Sequence, residues 1–255
     1  MLAALALAAA LNCETIPAAE ALWARPETRI VLVGEVHGTR ETPAVVASIL
    51  CASHRTGKPA VLALEAAPDR GQAEIDAYLA SAGSEADRMA LRRAAMWSDP
   101  HARGSEAVLD LVETARRLKA PVMLFDVVPP RSGPTDGERE QGMAGALAQA
   151  AAGGRVVALT GLGHADRTGF TSLKVASAIM RLPPASTVAL APIVSGGEAW
   201  GCRGTPPVCK GQPLPVRRPV SPRTIVLDPG VREGFDGGYS VGAPFTASPP
   251  AARGS

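Results

Sequence analysis

An α/β fold with a mainly parallel sheet and crossover helices on both faces is predicted by three observations. Short apolar runs alternate with segments of helical period. The runs are apolar at every position, as strands buried on both faces must be. Several of them end directly in an acidic residue, or in glycines followed by histidine, where an open parallel sheet keeps its crevice. The chain has 255 residues, 46% of them hydrophobic and 20% charged, enough for one α/β core and no second large domain. Aromatic residues make up only 4%, so that core must be mainly Ala, Val and Leu.

Taken in order, Leu2 to Leu11 is an uninterrupted Ala/Leu run. It falls short of the roughly 20 residues a membrane span needs but suits the apolar part of a secretory signal, although the basic start is absent. Residues 1–19 are therefore expected to be a signal or flexible segment, 20–246 a single α/β domain and 247–255 a disordered tail. Ile30 to Val33 is the first strand, leading through Gly34, Glu35, Val36, His37 and Gly38 to Thr39, which is placed to cap the next helix. Pro43 to Thr56 reads as that helix, with Val45, Val46, Ile49 and Leu50 at helical spacing. Ala60 to Leu64 is the second strand and ends in Glu65.

A helical insertion occupies about residues 69–118, its last helix capped by Ser105. Pro121 to Phe125 is the third strand and ends at Asp126. Glu138 to Ala152 is an Ala-rich helix that leads into the strand before Thr160, Gly161, Gly163 and His164. A further helix is expected over Ser172 to Met180, then strands at Thr187 to Val194 and Thr224 to Leu227. The remainder beyond Ser195 is Gly/Pro-rich and reads as irregular, with Trp200 and Tyr239 accessible to a ligand.

Glu35 and His37 close the first strand, and His164 closes a later one after the same Gly-x-x-His plan. Either motif alone could simply hydrogen-bond a turn. Two such histidines on one edge of a parallel sheet, beside Glu65 and Asp126, can instead meet on one ligand. His37, His164, Glu35 and Glu65 are candidate ligands for a divalent metal such as Mn, Co or Zn. In that role the metal would acidify a bound water and a glutamate would take its proton. Without metal, His37 would activate water, with the carboxylates orienting both histidines. Arg40, Arg103 and Arg167 are the candidate substrate contacts, and a buried Asp126 could equally hold Arg103 or a turn. His101, alone on a loop, is a weaker candidate ligand.

Gly-Glu-Val-His-Gly-Thr at 34–39 with Gly-Leu-Gly-His-Ala at 161–165 resembles the superfamily that groups ChaN-like haem-uptake lipoproteins, TraB/Tiki metalloproteases and erythromycin esterases. The Glu-x-His spacing is most similar to the ChaN-like branch. The resemblance implies an EreA/ChaN-like fold over roughly residues 30–193. Its protease branch implies metal dependence, its esterase branch water activation by histidine alone, and its ChaN-like branch haem binding. Haem would need an axial ligand, and neither Tyr78 nor Tyr239 lies in a segment matching such a ligand of the family.

The chain is thus expected to be an exported hydrolase acting on an ester or amide bond of a small molecule or peptide, with haem binding or a non-catalytic scaffold as alternatives. There is no Gly-x-Ser-x-Gly elbow and no Gly-x-Gly-x-x-Gly after the first strand, so a serine nucleophile and a dinucleotide are not expected. A net charge of +2 with scattered arginines argues against nucleic acid. Four cysteines point to a periplasmic or secreted protein. Cys202 and Cys209 are expected to staple a loop at about 195–222, and Cys51 to be a buried thiol or to pair with Cys13. Lipidation of Cys13 would be the only membrane tie, and Leu11-Asn12 is not the small-residue pair that processing prefers.

Overall fold

Six parallel strands form the body of a seven-stranded sheet in the order β3-β2-β4-β1-β5-β9-β8. They are β1 (Ile30–Glu35), β2 (Ala60–Leu64), β3 (Val122–Leu124), β4 (Arg155–Gly161), β5 (Thr187–Pro192) and β9 (Gly237–Ser240), with β8 (Thr224–Val226) antiparallel at one edge. The computed structural model describes residues 13–127, 136–171 and 174–252. The expected signal run, residues 172–173 of the helix expected over 172–180 and the last three residues lie outside them.

Strand β1 is buried along its whole length, and the alternation of its side chains divides the core in two. Val31 and Val33 face α2 (Glu41–Arg55) and α5 (Glu106–Leu118), with the short α1 (Ala21–Ala24), α3 (Gln72–Leu79) and α4 (Glu85–Leu91) beside them. Ile30 and Leu32 face α6 (Asp136–Gly153) through Met143, Ala144 and Leu147. Helices therefore cover both faces, as the continuous apolar strands require. Ser105 caps α5 as expected, accepting a hydrogen bond from Val108 N–H. Thr39 does not cap α2. Its hydroxyl donates to Val36 C=O and meets Thr42, and Arg40 stands at the N-cap without a side-chain bond.

Three expectations are corrected. The segment expected to form a helix near 172–180 instead makes an antiparallel bridge, Phe170 to Val175, and a 3-10 turn at Ala178–Arg181, because Gly169 and Lys174 adopt positive φ. The Gly-rich stretch before Tyr239 supplies an interior strand, β9. Its glycines are needed there, since a Cβ on Gly238 would lie 3.0 Å from the Ala191 carbonyl. Neither end of the described chain is loose. Ile16 and Ala19 are buried, and the 247–252 tail bridges Thr39 and Ser105 and donates Ser248 N–H to Gly38 C=O at 2.7 Å.

The Gly/Pro-rich region also holds a hairpin, β6 (Glu198–Arg203) and β7 (Val208–Pro213), in which Cys202 and Cys209 are directly opposed and disulfide-bonded. Cys51 is likewise bonded to Cys13. No described helix is long and apolar enough to cross a membrane.

Candidate functional site

Because β1, β2, β3 and β4 run parallel, the residues at their C-terminal ends share one edge of the sheet. Glu35 ends β1, Glu65 follows β2, Asp126 follows β3 and Thr160-Gly161 end β4. His37 sits one turn beyond β1, where Gly38 at φ +76° lets the chain double back beneath Trp200, and His164 lies in the 3-10 turn after β4.

Glu65 is the centre of the cluster. Its Oε2 accepts hydrogen bonds from the Thr160 hydroxyl at 2.9 Å and from Gly161 N–H. Its Oε1 faces four nitrogens: Arg103 Nε at 3.3 Å, Arg139 Nη2 at 3.3 Å, His164 Nε2 at 3.5 Å and His37 Nε2 at 3.8 Å. Each of these groups has its own carboxylate on the outer side. Glu35 holds His37 Nδ1 at 2.8 Å, Asp99 holds Arg103 at 3.0 Å, Glu140 holds His164 Nδ1 at 2.7 Å, and Asp126 grips Arg139 through both oxygens at 2.8 and 2.7 Å. The outer partners fix the direction of each inner group, so four nitrogens converge with little side-chain freedom.

Electrostatics follow from this nesting. Burial would push the His164 pKa down, but the hydrogen bonds to Glu140 and Glu65 and their charges outweigh it and raise the value to about 9. For His37 burial is likewise overcome by Glu35 and Glu65, and the net shift is upward. Burial alone would raise Glu65, yet the His164 hydrogen bond, the His37 and His164 charges and the Gly161 N–H hold it well below the usual carboxylate range. His164 is therefore an imidazolium at neutral pH. The His37 side chain is 24% exposed, and its Nε2 faces Glu65 Oε1 at 3.8 Å.

Linkage makes His164 testable. A folded pKa above the unfolded 6.5 contributes stability that is complete below pH 6.5 and lost as pH rises through about 9, on the order of 3 kcal/mol. Urea unfolding at about pH 6 and about pH 10 should show this loss in the parent chain and little of it in His164→Gln. Equal pH dependence in the two chains would refute the assignment.

All five predicted acid–base residues, Glu35, His37, Glu65, Asp126 and His164, meet at this edge. Among the described residues Asp126 holds Arg139, neither Arg103 nor a turn. Of the predicted arginines only Arg103 arrives. Arg40 is exposed at the start of α2 and lines a separate cleft, while Arg167 bonds Asp236 and the Thr187 carbonyl at the opposite end of β5. His101 is exposed, and only its backbone N–H meets Asp99. Tyr239 is fully buried, not accessible. Sequence reasoning missed Asp99, Arg139, Glu140 and Thr160. Glu140 had one signal: it lies three, four and seven residues before Met143, Ala144 and Leu147, a carboxylate on the apolar stripe of α6.

The metal expectation is not met: among the described residues no group of three or more His, Cys, Asp or Glu is arranged to hold an ion. Both histidine Nδ1 atoms are taken by carboxylates, and the charge of Glu65 is met by Arg103 and Arg139 where a cation would otherwise sit. Of the side chains that could ligate haem iron, the tyrosines and cysteines are already engaged. The Tyr239 hydroxyl donates to Gly34 C=O at 2.8 Å, that of Tyr78 donates to Glu113 at 2.6 Å, and all four cysteines are in disulfides. A cleft of about 380 Å³ between α2 and α5 has no His, Tyr or Met in its described lining.

Residues 24–128, from before β1 to just past β3, match the family model described as haem-binding uptake, Tiki superfamily, ChaN. Glu35, His37, Glu65, Arg103 and Asp126 fall inside the match, and His164 lies beyond it. No curated protein matches the chain. Among solved structures, one titled a succinoglycan biosynthesis protein is similar with a TM-score of 0.62 at 9% identity, over 88% of this chain and 89% of that one. A Bacillus cereus protein is similar with a TM-score of 0.50 at 12% identity, over 76% of this chain and 73% of its own. At these identities the likeness is one of fold.

Proposed function

Starting from a chain whose β1-to-β3 segment matches the haem-binding uptake, Tiki superfamily, we propose that this protein is an exported hydrolase that cleaves an ester or amide bond without a bound metal. One observation carries the reading: two imidazoles, each fixed at Nδ1 by a buried carboxylate, turn their Nε2 atoms toward the same Glu65 oxygen, at 3.8 and 3.5 Å.

His37 and His164 have unlike environments, and so unlike roles. Neutral His37 donates Nδ1–H to Glu35 and uses its Nε2 lone pair to draw a proton from water as that water attacks the substrate carbonyl. The developing oxyanion is stabilised by Arg103 and Arg139. Arg103 Nε lies 3.3 Å from Glu65 Oε1 but out of line for a hydrogen bond, so its N–H can turn to a substrate oxygen. His164, protonated through Nε2, passes its proton to the departing oxygen or nitrogen as the carbonyl re-forms. Gly161 keeps this space open, since a Cβ there would lie 2.9 Å from His37 Nε2. Disulfides at Cys13–Cys51 and Cys202–Cys209 support an oxidising compartment.

The test is a panel of chromogenic esters and peptides against chelator-treated protein, with His37→Asn as control. Hydrolysis should persist without metal and vanish in the variant. Activity that returns only on adding Mn, Co or Zn would reject the metal-free mechanism. Saturable haemin binding with a Soret band, in protein that hydrolyses nothing, would favour the haem reading that the family description carries.

A further inference from the structure

A second cationic site lies on the same edge of the sheet. Where β5 leaves the sheet, residues 192–194 form the floor of a small pocket of about 190 Å³, walled by Arg217, Arg218, Val231 and Arg232. Among the described residues no acidic side chain lines it.

Several arginines elsewhere are neutralised. Arg92, Arg116, Arg139, Arg167 and Arg223 each meet a carboxylate at 2.7 or 2.8 Å. At the pocket, Arg217 and Arg218 have no carboxylate within ion-pair distance among the described residues, and Arg232 reaches Asp166 only at 4.0 Å. Their backbones are nonetheless fixed. The N–H groups of Arg217 and Arg218 both donate to Val194 C=O, at 3.0 and 3.1 Å, and Arg218 Nη2 donates to Val231 C=O at 3.3 Å. Pro219 restricts the backbone of Arg218, which precedes it, to extended conformations. Arg232 is set over the Phe235 ring, 5.4 Å from its centroid. Three like charges lining one pocket repel one another, and the group that relieves this is a multivalent anion gripped by guanidinium forks.

We propose that this pocket binds a phosphate group, a dianion whose size suits the volume and whose oxygens can take hydrogen bonds from three arginines at once. The pocket holds the anionic group, and any organic remainder of the ligand lies along the strand-end edge that also carries His37 and Glu65. The proposal stands apart from the hydrolase reading, because binding is measured without turnover.

Isothermal titration of the full chain with inorganic phosphate, at matched ionic strength in chloride, should give saturable binding that weakens as salt is raised. Arg217→Ala with Arg218→Ala should weaken it roughly tenfold or more. Arg203→Ala, an exposed arginine of the β6–β7 hairpin, should leave it unchanged, and the unfolding midpoints confirm that each variant is folded. Tighter binding of glycerol phosphate than of inorganic phosphate, with glycerol alone inert, identifies a phosphorylated organic ligand. Equal binding identifies free phosphate. No saturable signal above chloride, or undiminished binding by the folded double variant, overturns the proposal.

Discussion

Replacing His37 with asparagine is expected to lower kcat/KM for ester hydrolysis roughly a thousandfold while the chain stays folded. Asparagine is chosen because its amide N–H can still donate to Glu35, which is 4% exposed and would otherwise lose its partner. What it cannot do is accept a proton at the Nε2 position. In the parent chain the base must be neutral, and Glu35 and Glu65 raise its pKa above 6.5, so the acid limb of the rate profile should lie above that value. The alkaline limb reports loss of the His164 proton near pH 9. Glu35→Gln removes a carboxylate that raises His37, and should move the acid limb to lower pH. A thousandfold loss confined to kcat, with that displacement, identifies His37 as the base; full activity in His37→Asn excludes it.

The five acidic and histidine positions of the site were legible because a parallel sheet converts a linear fact into a spatial one. An apolar run marks a strand, and its last residue is then placed beside the last residues of its parallel neighbours. Glu35, Glu65 and Asp126 needed nothing more. Asp99, Arg139 and Glu140 are brought in by a loop and a helix, whose approach depends on tertiary packing that no local spacing encodes. Arg40 and Arg167 show the converse: each is three residues from a site histidine in sequence, yet helix α2 and the turn after His164 carry them away. Strand β9 was hidden for a similar reason, since its glycines read as loop until neighbouring carbonyls are seen to leave no room for a Cβ.

Loss of the Glu65 charge is expected to be the costliest change to stability. Glu65→Gln should lower unfolding free energy by about 3–5 kcal/mol at neutral pH, since it leaves buried cations without their shared counter-charge. Isosterism does not rescue it. With its amide nitrogen at the Oε2 position, glutamine would face the Thr160 hydroxyl and the Gly161 N–H; at the Oε1 position it would face Arg103, Arg139 and both imidazoles. The parent chain offers the same test by pH. Its carboxyl is held below the unfolded value of 4.5, so the contribution is complete above that pH and lost as pH falls further. Glu65→Gln should therefore flatten the acid side of the stability curve as well as lower its plateau. A plateau within about 1 kcal/mol of the parent would mean that the four cationic groups hold their places without Glu65, and that the cluster is organised from its outer carboxylates inward.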